Sequence, residues 1–155
     1  MTILTKIMTS ILIIAMGLMV FVVTWQIFTR FILNDPSLYS EEMAGFLLIW
    51  IGMLGSVYAL IRKSHIGIDI FTKNLKGKKK TISILMIYSL IILFSLSVLV
   101  IGGSRLVHLT FSLDQISPAL GIKMSYIYLV IPLSGILIII YSIDIIRKII
   151  MKSIN

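Results

Sequence analysis

The chain has no cysteine. Disulfides, thiolate metal sites and cysteine nucleophiles are therefore excluded. Charge is scarce as well: 13% of residues are Asp, Glu, Lys or Arg, against roughly a quarter in a soluble domain. Four long stretches carry no Asp, Glu, Lys, Arg or His: Ile7 to Phe28, Met43 to Ile61, Ile82 to Gly103 and Tyr126 to Ile143. What fills the space is apolar, at 59% of residues and a mean hydropathy of +1.10. A single domain of 155 residues cannot bury that much apolar surface in water, so lipid must be its solvent.

Each stretch is close to the ~20 residues that cross a hydrocarbon core of about 30 Å. They run without inside–outside alternation, which favours helices over barrel strands. The sequence therefore predicts an all-α integral membrane protein, one membrane domain over residues 1–155, with transmembrane helices at 7–28, 43–61, 82–103 and 126–143. The first stretch follows Lys6, as a signal peptide would. It is longer than a usual signal core, and the bulky run Trp25-Gln26-Ile27-Phe28 follows where a cleavage site needs small residues. It reads as a retained helix.

Eleven of the fourteen basic residues fall on one side of this topology. They are Lys6, the cluster from Arg62 to Lys80, and Arg147, Lys148 and Lys152. The positive-inside rule places them, and both termini, in the cytoplasm. The net charge of +8 is then explained by topology and anionic phospholipid, without nucleic acid. The segment 64–77 is too polar to cross. Ile66, Ile70 and Leu75 share one side of a helix there, which predicts a short amphipathic helix in the headgroup region, ended by Gly77. Lys73, Lys76, Lys78, Lys79 and Lys80 read as anchors for lipid phosphate.

The outer connections carry the remaining signals. Asn34-Asp35-Pro36-Ser37 marks a turn. Ser40 is expected to cap the second helix, with Glu41 and Glu42 in its first turn, where carboxylates oppose the helix dipole. Glu42 lies deeper and is a candidate for a polar link with Arg30 or with a partner chain. Arg105 to Ser125 reads as a loop folded on the outer surface, broken by Pro118 and Gly121. Within the second helix, Gly52 and Ser56, and Gly55 and Ala59, are four apart, a spacing that lets helix backbones approach.

No chemistry of catalysis or ion coupling is visible. The stretches hold no intramembrane carboxylate, and His65 and His108 fall on opposite sides, so a haem pair is not formed. No nucleophile triad, phosphate loop or metal cluster is present. No cofactor and no enzymatic activity are expected, and elimination leaves an accessory or scaffolding membrane subunit. Two alternatives stay open: a small transporter built by homo-oligomerisation, and a membrane anchor for a respiratory or signalling complex.

An ordered set of motifs goes further. Trp25-Gln26-Ile27-Phe28-Thr29-Arg30-Phe31 closes the first helix. Ser40-Glu41-Glu42 and then Leu48-Ile49-Trp50-Ile51-Gly52-Met53-Leu54-Gly55-Ser56 build the second. Arg62-Lys63-Ser64-His65-Ile66-Gly67-Ile68-Asp69 leaves it. Over residues 20 to 72 this order resembles the small membrane subunit, of the Q or DctQ type, of tripartite ATP-independent periplasmic (TRAP) transporters. The later half matches in hydropathy and length only. The aromatic before the glutamates, often Trp in the family, is Tyr39 here. The resemblance implies a bacterial inner-membrane protein with two partners, a large multi-helix membrane subunit and a periplasmic substrate-binding protein. It implies sodium-coupled uptake of an organic anion of the sialic acid or dicarboxylate type, with this subunit as scaffold. It also implies partner contacts at Arg30, Glu42, Trp50, Gly52, Gly55, Ser56, Arg62, His65 and Asp69.

Overall fold

The computed structural model describes residues 2–62 and 78–154. The segment expected to form a surface helix, 64–77, lies outside them, and with it His65, Asp69, Lys73 and Lys76. The described residues form helices α1 (Thr2–Phe31), α2 (Leu38–Ile61), α3 (Lys78–Phe94), α4 (Gly103–Ser112), α5 (Met124–Tyr128) and α6 (Val130–Ile154). A stretch of π-helix, Ser95–Gly102, joins α3 to α4 without a break. Four spans are long and apolar enough to cross a membrane: Thr5–Phe31, Leu38–Ile61, Lys79–Ser112 and Met124–Met151.

Local chemistry sets the ends. α1 closes where Asn34 takes a left-handed backbone (φ 53°), a conformation asparagine tolerates better than most residues. The amide of Asp35 turns back to the carbonyl of Thr29 at 3.1 Å. Ser37 then caps α2: its hydroxyl accepts from the amide of Ser40, and the Ser40 hydroxyl donates to the Ser37 carbonyl at 2.9 Å. The cap is thus three residues earlier than Ser40, because Pro36 fixes an extended entry and α2 starts directly after it. Ser37→Ala should lower the thermal stability of the purified chain by about 1 kcal/mol, and Ser37→Asp should preserve it. An unchanged melt for the alanine variant would show that the serine does not act as a cap.

The third span is longer than expected. It continues through Arg105 and His108 to Ser112, so the first part of the expected outer loop is helix. The fourth span breaks at Leu129. Pro132 has no amide hydrogen to give the carbonyl of Tyr128, and its ring crowds that carbonyl, so α5 stops there.

Side by side, α1 packs on α2, α2 on α6, and α6 on α3 and the π segment. The spans therefore neighbour one another in the order first, second, fourth, third, and the second and third do not pack directly. The fourth span is the centre, with 33% of its best window buried against 17%, 17% and 11% for the others. Met8, Val57, Leu60, Tyr88, Ile138 and Tyr141 make the core at one end, and Leu12, Leu54 and Val130 a second cluster.

In lipid, apolar side chains gain little by moving from tails to neighbours, so close packing and interhelical hydrogen bonds decide which helices associate. Both occur between the third and fourth spans. The buried Ser95 hydroxyl donates to the carbonyl of Gly135 at 2.9 Å. A Cβ on Gly135 would lie 2.8 Å from Cβ of Leu99, and one on Gly103 would lie 2.8 Å from Cγ2 of Ile131. The π turn widens the third span where Leu99 and Val100 cover Gly135. The Ser97 hydroxyl, bonded to the Leu93 carbonyl at 2.8 Å, competes with the regular ladder in the same turn.

Candidate functional site: a clasped loop and an open helix face

Glu42 is in the second turn of α2, near the end of the bundle where α1 closes. One of its oxygens, Oε2, accepts three hydrogen bonds from a loop 75 to 78 residues away. The donors are the Ser117 hydroxyl at 2.9 Å, the Ala119 amide at 3.2 Å and the Leu120 amide at 2.7 Å. Pro118 starts the tight turn that aims both amides at one point. Gly121, at φ +68°, lets its amide return to the Ser117 carbonyl at 3.1 Å. Ser117 is itself buried and accepts from the Ile122 amide through the same hydroxyl.

The loop around this turn is ordered by its own bonds. The amide of Ser117 donates to the carbonyl of Ile122, and that of Met124 to the carbonyl of Gln115, both at 2.9 Å. Lys123 pairs with Asp114 at 2.9 Å and lies over the ring of Phe111. The hydrogen bond from Lys123 to Asp114, with the charge of that carboxylate, holds the lysine above its ordinary pKa. Both side chains are exposed, so the pair orients the loop more than it stabilises it.

Among the described residues no ion pair joins Glu42 to Arg30. Arg30 is exposed at the last turn of α1, where its charge opposes the negative end of the dipole. Near it, Trp25 stacks on Phe28 with ring centroids 5.7 Å apart, in the manner of an interfacial aromatic belt. At the other end of α2, Arg62 donates from Nε to the Tyr58 hydroxyl at 3.0 Å.

Among the described residues the glycines of α2 make no close helix contact. Gly52 and Ser56 are exposed, Trp50 is 36% exposed, and Gly55 is half-buried. A Cβ added at Gly45, Gly52 or Gly55 would meet nothing within 4 Å. Among the described residues the close glycine contacts are instead at Gly103 and Gly135, which sequence reasoning missed. Their only trace in the sequence is a Gly-Gly and a Ser-Gly inside otherwise bulky apolar runs. Among the described residues no group of His, Cys, Asp or Glu is placed to hold a metal ion.

Residues 19–150 match the family described as tripartite ATP-independent periplasmic transporters, DctQ component. The chain belongs to that family. It is a TRAP permease subunit and not an enzyme, a multi-pass protein of the bacterial inner membrane. It is 32% identical over 121 residues to the sialic acid TRAP transporter small permease protein SiaQ of Vibrio cholerae, covering 78% of this chain and 68% of that one. To the C4-dicarboxylate TRAP transporter small permease protein DctQ of Rhodobacter capsulatus it is 26% identical over 97 residues, 63% of this chain and 42% of that one. It is also 30% identical over 122 residues to the isethionate TRAP transporter permease protein DctMQ of Oleidesulfovibrio alaskensis, 74% of this chain but 19% of that one. There the region like this chain is one part of a longer permease polypeptide.

Proposed function

We propose that this chain is the fixed scaffold subunit of a sodium-coupled TRAP transporter for an organic anion of the sialic acid or dicarboxylate type. The observation that carries the reading is the open face of α2: Gly52 is exposed with nothing within 4 Å of a Cβ built on it, beside the exposed Trp50 and Ser56, on a protein of a transporter family. Small residues on an open helix face let another helix approach closely. The relatives named for sialic acid, a C4-dicarboxylate and isethionate all concern organic anions. Among the described residues the spans present no Asp, Glu, Lys, Arg or His between Lys6 and Arg30, or between Lys80 and Arg105. A chain of that kind can pack and anchor, and it leaves the binding of sodium and anion to a large multi-helix partner.

In this reading Trp50, Gly52, Gly55 and Ser56 meet the large subunit in the membrane. Arg30 and the loop clasped by Glu42 stand at the periplasmic surface, where the substrate-binding protein docks. Arg62, His65 and Asp69 shape the cytoplasmic exit of α2, and the lysines from Lys73 to Lys80 hold anionic phospholipid through a surface helix at 64–77. Both termini lie in the cytoplasm.

Copurification of the tagged chain from its native membrane tests this. The wild type should bring a stoichiometric partner of ten or more transmembrane helices. Gly52→Leu should lose at least about tenfold of that partner, equivalent to ~1.4 kcal/mol, with no change in the melt of the isolated chain. Recovery of the chain only with itself would overturn the subunit reading. Full recovery of the partner with Gly52→Leu would overturn the α2 face alone.

A further inference from the structure

The second and third spans leave a cleft between them of about 470 Å³, backed by the fourth. Met53 and Ser56 line it from α2, Ile87, Leu90 and Leu99 from the third span, and Ile138 from α6. Two hydroxyls face it, and both are satisfied inside the protein: Ser56 donates to the Met53 carbonyl at 2.7 Å, and Ser95 to Gly135. A cavity needs unpaired polar groups to retain water, and these two supply none. The cleft is therefore a dry site for hydrocarbon.

Its proportions select the occupant. From Ile87 to Leu99 the third span rises about 18 Å. The groove is apolar along this whole length, as an extended hydrocarbon chain requires. The length is also close to one leaflet, about 15 Å of the hydrocarbon core.

Charge marks one end. Lys79 and Lys80 are exposed at the start of α3. Lys80, Ile87 and Ile91 are seven and eleven apart, so they share one helix face, and Lys80 lies about 10 Å beyond the cleft along the axis. We propose that this cleft holds one acyl chain of an anionic phospholipid, with its phosphate at Lys79 and Lys80. The headgroup part rests on the reading of those lysines as phosphate ligands, and the cleft does not. The lipid would fill the gap that α2 and α3 leave, and so fix their separation without a direct contact.

The test uses the full chain in nanodiscs of phosphatidylethanolamine and phosphatidylglycerol, with a trace of phosphatidylglycerol bearing a photoactivatable group midway along one acyl chain. Adducts located by mass spectrometry should concentrate severalfold on 87–99 over the lipid-exposed Ile13 and Ile14 of α1. Ser56→Phe, which fills the cleft, should reduce them to the α1 level. Ile91→Trp fills it from the other wall and serves where the first variant does not fold. Lys79→Glu with Lys80→Glu should reduce labelling by phosphatidylglycerol but not by the matching phosphatidylethanolamine probe. Loss of only that headgroup preference would overturn the lysine part and leave the cleft standing. Labelling spread evenly over the spans, or unmoved by filling the cleft, would overturn the proposal. Labelling abolished when the large subunit is bound would assign the cleft to that partner and overturn it too.

Discussion

Glu42→Ala should detach the loop at 113–123 from α2 and lower the stability of the isolated chain by about 2–4 kcal/mol. The carboxylate gathers three donors on one oxygen, and hydrogen bonds to a charged acceptor are the strong ones. Without it the amides of Ala119 and Leu120 and the buried Ser117 lose their partner together, beside apolar helix ends where water replaces it poorly. A thermal melt in mild detergent should fall by about 6–12 °C on that basis. Glu42→Gln retains one acceptor oxygen but not the charge, and should lie about midway. Glu42→Lys aims an ammonium at two amide hydrogens, and should be the worst of the three. Protease accessibility at 113–123 should rise in the same order.

The same substitutions separate two roles. If Glu42 acts through the loop, assembly with the large subunit should weaken only as far as the loop melts. If Glu42→Ala melts like the wild type and yet loses its partner, the clasp is irrelevant and Glu42 is a direct partner contact. Ser117→Ala provides an internal check, since it removes one donor and leaves both amides on the carboxylate. Its effect should be about 1 kcal/mol.

The four spans are legible in the sequence because membrane solvent imposes a simple signal: charge-free runs of about the right length. The family is legible because its motifs, from Trp25 to Asp69, occur in a fixed order. What hydropathy misses follows from its physics. The third helix continues to Ser112 because its backbone ladder does not end where the side chains become polar, and Arg105 and His108 simply face outward from it. Glu42 is visible in the sequence as an acid with Arg30 or a partner chain as its candidate partner, and the structure gives it neither within the described residues. Its partners are mostly backbone amides across the bundle, and no side-chain pattern reports where an amide points. Ser117-Pro118 and Gly121 gave the turn but not its destination.

Small residues show the same limit from another side. Within one helix, Gly52 and Ser56 make a spacing that the eye can find, and the structure leaves that face open. The glycines that bring helices together lie singly on two different spans, and only the fold aligns them with bulky neighbours. A search for spacing along one helix therefore finds surfaces available for contact. It does not find contacts already made.

Gly135→Leu should disrupt the pairing of the third and fourth spans. Even a Cβ at this position would lie 2.8 Å from Cβ of Leu99, 3.0 Å from Cγ2 of Val100 and 3.3 Å from the backbone carbonyl carbon of Leu99. The last of these atoms cannot rotate away, so the π segment must move as a body. Gly135→Ala should cost about 1–3 kcal/mol, the usual range for overpacking, and leucine more. The shift would also pull the Gly135 carbonyl from the Ser95 hydroxyl, a bond whose loss in Ser95→Ala should be near 0.6 kcal/mol. Because α6 is also the neighbour of α2, separating it from the third span leaves that span only the packing of α4 on α5 among the described helices. The contrast with Gly52→Leu is the measurement to make. In detergent melts of the isolated chain, Gly135→Leu should unfold well below the wild type and Gly52→Leu should not. Equal melts for Gly135→Leu and wild type would mean that the two spans are not held by this close approach. The fold would then rest on the α2–α6 contact around Leu54, Val57 and Val130.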